Sequence, residues 1–186
     1  MNEIPAPKPQ EAHLQFHYYP SDSLTKPCEP CPDDFYETFK ASHVHDLMMW
    51  CTKLHGYAIA ANQVGINQQF FFLLRGPKLP KDSPQFIINP EIVDESKDTI
   101  SFRETCLSLP NFTAAIRRSE RFTLLYNDGL DKGTRKELKC RGLLARIIHH
   151  EVSHLKGRLI TDEVSPFAKD DADKYLKALA KSVGQQ

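Results

Sequence analysis

Between Gly142 and Gly157 the chain reads GLLARIIHHEVSHLKG, and this stretch constrains the fold more than any other. Leu143, Leu144, Ile147, Ile148, Glu151 and Leu155 recur at helical spacing. The apolar members place much of this helix in the core, and Gly157 stops it. Yet the same helix carries His150, Glu151 and His154. Residues four apart share a helix face, so both imidazoles can aim at one point while Glu151 sits one position round. Buried histidines require partners or a metal. H-E-x-x-H spacing supplies the second, with the glutamate placed to handle the proton of a water rather than to ligate.

The segments before this helix are extended. FFFLLR (70–75), QFIINPEIV (85–93), TISFRE (99–104), AAIRRSERFTLLYN (114–127) and RKELKC (135–140) read as strands between Pro, Gly and Asp/Asn turns, and NDGLDKG reads as a hairpin loop. A helix is expected from about 33 to 54, stopped at Gly56, and an amphipathic one over about 170–183 with Tyr175, Leu176, Leu179 and Val183 on one face. Strands clustered between helices, rather than alternating with them, predict an α+β fold: antiparallel or mixed strands around a central metal-binding helix, with an N-terminal and a C-terminal helix. Residues 1–12 are expected as an extended Pro-rich arm and 13–186 as a single catalytic domain. Four prolines between positions 20 and 32 keep YYPSDSLTKPCEPCPDD irregular, wrapping over the surface.

Charge narrows the function classes. Lys+Arg and Asp+Glu are balanced at 24 each, so no net field draws in nucleic acid or an anionic membrane, and no apolar run reaches the roughly 20 residues that span a bilayer. Five cysteines, an odd number, suit free or metal-bound thiols in a reducing compartment. With no visible targeting signal, the expected location is the cytoplasm. CEPC (28–31) has metal-like spacing without a second pair near it, and reads as a surface turn or, less simply, a second metal site.

A catalytic metal of this type takes three protein ligands and keeps one open position. No histidine follows His154, which leaves Asp162 and Glu163 downstream and Cys106, in RETCLSLP, upstream. A Cys-His-His set suits zinc or ferrous iron.

GYAIAANQVG (56–65), ETCLS (104–108) and HEVSH (150–154) stand in the order of three motifs, G-x-G-x-A-A-x-Q, E-G-C-L-S and H-E-x-x-H, and here the chain resembles the peptide deformylases. The likeness runs from the YYPSDSLTKPC segment to GRLITD. It implies a hydrolase that removes the N-formyl group from the initiator methionine of nascent polypeptides and releases formate. The metal ligands would be Cys106, His150 and His154, holding one divalent ion, Fe2+ natively and Zn2+ in purified material. Glu151 would be general base and acid, and the Gln63 amide and the Leu107 backbone N–H would stabilise the oxyanion. Glu104 and Arg118 would form a supporting ion pair. Tyr57, Phe102, Leu107, Leu143 and Ile147 would line the methionine slot, with Gly56, Ala58, Thr105 and Arg146 also bordering substrate. Partners implied are formyl-methionyl peptides and nascent chains. Lys174, Lys177 and Lys181 form a solvated helix face or a transient ribosome contact.

Three positions depart from the family pattern. Ala58 and Thr105 replace glycines where backbone approaches substrate. Arg146 stands where the family is usually apolar. Either its stem packs while the guanidinium reaches solvent, or the charge sits at the pocket mouth and selects substrates. Two other readings compete: a peptidase cutting internal bonds with downstream ligands, and a silent relative that only binds nascent chains.

Overall fold

The computed structural model describes residues 14–39 and 41–183, the side chains of residues 41, 42 and 183 excepted; the arm expected over residues 1–12 and the place of Val183 on the terminal helix face lie outside what is described. The fold is the α+β architecture the sequence predicts. Strands β1 (Ala58–Ala60), β2 (Phe70–Leu73), β3 (Phe86–Val93), β6 (Arg121–Asp128) and β7 (Thr134–Arg141) form one antiparallel sheet in the order β1-β2-β3-β6-β7. Strands β4 (Thr99–Cys106) and β5 (Leu109–Ser119) form a separate antiparallel ribbon. Helix α3 (Gly142–Leu155) packs on the main sheet and touches β5 of the ribbon. It carries buried residues toward both: Ile148 is fully enclosed, and Glu151 and His154 are buried with it.

Each sheet has its own core. Phe70, Phe71, Phe72, Phe86, Ile87 and Leu124 from the main sheet pack with Leu144, Ile148, Val152 and Leu155 of α3. Under the ribbon, Leu109, Ala114 and Ile116 pack with Leu24, Leu159 and Ile160. Helix α4 (Lys169–Val183) lays Tyr175, Leu176 and Leu179 on that second cluster. Its anchor is Tyr175, stacked on Phe112 with ring centroids 4.6 Å apart and donating its hydroxyl to the Pro110 carbonyl at 2.8 Å.

Two local expectations need correction, and one strand went unread. The helix read over 33–54 is divided into a single turn, α1 (Phe35–Thr38), and α2 (Ala41–Lys53), because Phe39 is extended at ψ 109°. Phe35 and Phe39 both join Phe70 and Phe86 in an aromatic cluster with centroids 4.9 to 6.4 Å apart, and this packing overrides the helical period. The run read as one strand over 114–127 is two strands in different sheets: Arg118 still pairs with Ile100, but Arg121 pairs with Arg141. Strand β1 had no signal of its own, being three residues long and buried throughout. The hairpin loop over NDGLDKG does join β6 to β7, with Asp128 opposite Thr134.

The irregular segment wraps as expected, but it is not a surface turn at its cysteines. Cys28 and Cys31 are buried, with thiols pushed by burial up to about 11 and about 12. Asn89 holds Cys31 from both sides, accepting its N–H at 2.8 Å and donating to its carbonyl at 2.9 Å. All five cysteines are free thiols. Among the described residues no helix is long and apolar enough to cross a membrane.

Candidate functional site

Three elements distant in sequence converge on one point. Cys106 ends β4, where the register with β5 shifts between Thr105 and Cys106 and turns the thiol inward. His150, Glu151 and His154 come from α3, and Gln63 from the 3-10 turn Ala61–Val64 that follows β1. The ligand atoms of Cys106, His150 and His154 all lie within 4.8 Å of one another, and no second such group occurs among the described residues.

The geometry fits a metal ion. Cys106 Sγ and His154 Nε2 are 3.3 Å apart. A tetrahedral ion with Zn–S of about 2.3 Å and Zn–N of about 2.0 Å would separate two such ligands by roughly 3.5 Å. Burial pushes His154 well below its ordinary value of 6.5, as do the charges of His150 and Arg118, which keeps it in the neutral form that ligates. Burial alone would lower His150 too, but its contacts with Cys106 and Glu104 raise it to about 10. A ring so surrounded by a thiol and a carboxylate sits in a pocket built for positive charge.

Behind this group lies an ionic network. Glu104 Oε2 meets His150 Nδ1 at 3.0 Å, fixing which ring nitrogen faces the cluster. Arg118 grips Glu104 with two bonds, Nε to Oε1 at 2.7 Å and Nη2 to Oε2 at 2.9 Å, and also reaches Glu163 Oε2 at 2.8 Å. Burial would raise the Glu104 carboxyl, but hydrogen bonds from Arg118, His150 and Arg146 hold it well below its ordinary value. Glu163, one of the two downstream carboxylates weighed as a third ligand, is thereby committed to Arg118. Asp162 accepts the Leu159 N–H at 2.9 Å instead.

Glu151 is buried, and its Oε2 has no hydrogen-bond partner in the protein. Burial sets its carboxyl up at about 7, against the opposing charges of His150 and Arg118. A lone carboxylate oxygen with a near-neutral pKa beside a metal-type cluster is equipped to take and return a proton. Gln63 is held in one orientation. Its Oε1 accepts the Ala60 N–H at 2.9 Å, so Nε2 is the donor; one hydrogen goes to Ser108 Oγ at 3.0 Å and the second is left to point elsewhere.

These groups stand at a cavity of about 290 Å³. Its walls include Gly56, Tyr57, Ala58, Phe102, Thr105, Leu107, Leu143, Arg146 and Ile147, so the structure brings together the bordering residues read from the sequence. Gly56 presses on Leu107: a Cβ there would lie 2.7 Å from Leu107 Cδ1. Ala58 and Thr105 lie in strands, where a side chain costs nothing conformationally, and Thr105 faces Thr113 across the ribbon. Arg146 lines the cavity with little of its side chain exposed, and its guanidinium is paired rather than free. Nη1 donates to Glu104 Oε1 and to the Ile116 carbonyl, each at 2.9 Å, and Nη2 to the Ile100 carbonyl at 2.6 Å.

Sequence reasoning missed two supporting residues. Ser108 relays Gln63 to the His17 carbonyl, donating at 3.0 Å. Asn62 donates to the His154 carbonyl at 2.6 Å, tying the 3-10 turn to the end of α3. Both lie inside the motifs beside recognised residues, but polar side chains in turns give no sign of their partners.

The chain matches the family model for polypeptide deformylase over residues 13–170. It is 33% identical to the peptide deformylase of Thermodesulfovibrio yellowstonii over 167 residues, covering 89% of this chain and 98% of that one. The Rickettsia typhi peptide deformylase is 34% identical over 164 residues, covering 86% and 90%. A plant peptide deformylase crystal structure superposes with a TM-score of 0.82 at 26% identity, covering 96% of this chain and 95% of that one. Motifs, fold and relatives agree, and the chain belongs to the polypeptide deformylase family.

Proposed function

We propose that this chain hydrolyses the formyl group from the N-terminal methionine of nascent polypeptides, releasing formate and a free amine, with one divalent metal held by Cys106, His150 and His154. The observation that carries the reading is the partnerless, buried Glu151 Oε2 beside that ligand set. Iron(II) is the native ion in this proposal and zinc the ion of purified material. When bound, the ion lowers the pKa of a water and polarises the formyl oxygen. Glu151 accepts the water's proton as its oxygen attacks the formyl carbon, and gives it to the amine nitrogen as the C–N bond breaks. The second Gln63 N–H and the Leu107 backbone N–H donate to the formyl oxygen as charge grows there; one such donor is worth about 3 kcal/mol. The methionine side chain occupies the cavity between Tyr57, Phe102, Leu107, Leu143 and Ile147, and Glu104 with Arg118 keeps His150 aimed. Substrates arrive as nascent chains in the cytoplasm or an equivalent compartment, with transient ribosome contact through the lysines of α4.

The test is formate release from formyl-Met-Ala-Ser by protein loaded with iron(II) anaerobically. Activity that depends on the metal supports the proposal. Cleavage of internal peptide bonds without formate release would replace it with the peptidase reading.

A further inference from the structure

Arg146 directs both terminal nitrogens of its guanidinium at the protein. From α3 it bonds Glu104 and the Ile100 carbonyl on β4 and the Ile116 carbonyl on β5, so one side chain ties the helix to both strands of the ribbon. Only 12% of that side chain is exposed. A second cavity, of about 380 Å³, runs along the same end of α3 and is walled by Ile100, Ser119, Glu120 and Gly142 together with Phe102, Leu143 and Arg146. The last three are the residues that border both this cavity and the catalytic one. They form the divider between them. Phe102 is 60% and Leu143 37% exposed, the Arg146 guanidinium lies 6.0 Å from the centre of the Phe102 ring, and Arg146 itself is pinned by hydrogen bonds at its tip.

The geometry points to Arg146 as the specificity-determining residue that sets how long a side chain the site accepts, by closing the catalytic cavity off from the apolar one beside it. This rests on the reading that the first residue's side chain enters the catalytic cavity. The limit is steric rather than electrostatic, because the guanidinium charge is already met by Glu104 and two carbonyls. Pushing it aside would break three hydrogen bonds at once, one of them to the buried carboxylate of Glu104, and this cost holds the divider in place. Removing it lets a longer chain run through into apolar space, where each buried methylene improves binding about 4-fold. A residue that merely supported Glu104 would instead alter all substrates alike.

The experiment compares wild type, Arg146→Ala and Leu143→Ala on two formylated tripeptides, formyl-norleucyl-Ala-Ser and formyl-2-aminooctanoyl-Ala-Ser, whose first side chains differ by two methylenes. The readouts are the ratio of kcat/KM, longer over shorter, and the ratio of calorimetric Kd for the two deformylated peptides, shorter over longer, so that a gain for the longer chain raises both. Any loss of His150 alignment divides both substrates equally and cancels. A rise of at least 10-fold is expected in Arg146→Ala by both readouts. Leu143→Ala thins the same divider without touching the Glu104 network, should show the same direction, and decides the matter if Arg146→Ala does not fold. A rise below 3-fold overturns the proposal. Wild-type protein that binds both peptides yet releases no formate overturns the deformylase reading instead, and the Kd ratios still decide the divider.

Discussion

Glu104→Gln is the substitution that bears most directly on how the site is held. It preserves shape and removes one charge, while Arg118 keeps Glu163 at 2.8 Å and Arg146 keeps the carbonyls of Ile100 and Ile116. Breaking a buried pair from one side costs about 3–5 kcal/mol, and the surviving partners place this case near 3. For a chain of this size about 1 kcal/mol moves Tm by roughly 2–4 °C, so Tm should fall by about 6–12 °C at pH 7. The pH dependence has a definite sign. The folded carboxyl lies below its ordinary value of 4.5, so its contribution is fully present above 4.5 and is lost as pH falls through the folded value. The difference between wild type and variant should therefore be constant from pH 7 down to about 5 and shrink in more acid solution. Denaturant unfolding across that range measures it. Metal affinity, by competition with a chelator, should drop about 10- to 100-fold because His150 loses its charged orienting partner. A stability difference under about 1 kcal/mol at pH 7, or one that widens in acid, would refute the claim that Glu104 is the charged keystone of the site.

Other outcomes follow from the same geometry. Glu151→Gln should bind metal normally but lose about 10²- to 10⁴-fold in kcat, since an amide accepts no proton; a tenth of wild-type kcat at equal metal content would place the base elsewhere. Cys106→Ala should reduce metal content after dialysis well below one ion per chain, read by elemental analysis, and an unchanged content would return the third ligand to a carboxylate. Gly157→Ala should destabilise by at least about 1–2 kcal/mol in denaturant unfolding, because residue 157 has φ +69° and a Cβ there would meet the Lys26 carbonyl carbon at 2.7 Å. An unchanged midpoint would mean that the 25–27 segment yields.

Helix α3 and the meeting of its two histidines were legible because they rest on local periodicity: i, i+4 spacing puts His150 and His154 together in any helix. Cys106 was legible only through its motif, since 44 residues separate it from His150 and no local rule joins them. Where sequence reasoning failed, it failed on partners. AAIRRSERFTLLYN carries uniform β character, and nothing in Ser119, Glu120 or Arg121 announces that the chain changes sheets there. For Arg146, neighbour rules along the helix gave the right face, but the Ile100 and Ile116 carbonyls that hold it come from strands whose approach only the fold defines.

The segment from His17 to Cys28 hydrogen-bonds to every motif-bearing region: His17 N–H to the Gln63 carbonyl at 2.7 Å, Tyr19 N–H to Ser108 at 3.1 Å, and Cys28 N–H to Leu155 at 2.8 Å. These bonds join stretches of chain that leave the ribosome at widely different times. When Cys106 emerges, His150 and His154 are still unmade, and the Cys28 end of the segment has no Leu155 carbonyl to close upon. Loop closure over such separations is compensated only when the distant partners are present. A nascent chain of this protein therefore cannot bring Cys106, His150 and His154 together until α3 has been released, and on the proposed function it captures its ion only after that point. Ribosome-bound chains stalled with residue 141 at the tunnel exit should retain no iron or zinc, and those stalled well beyond residue 157 should.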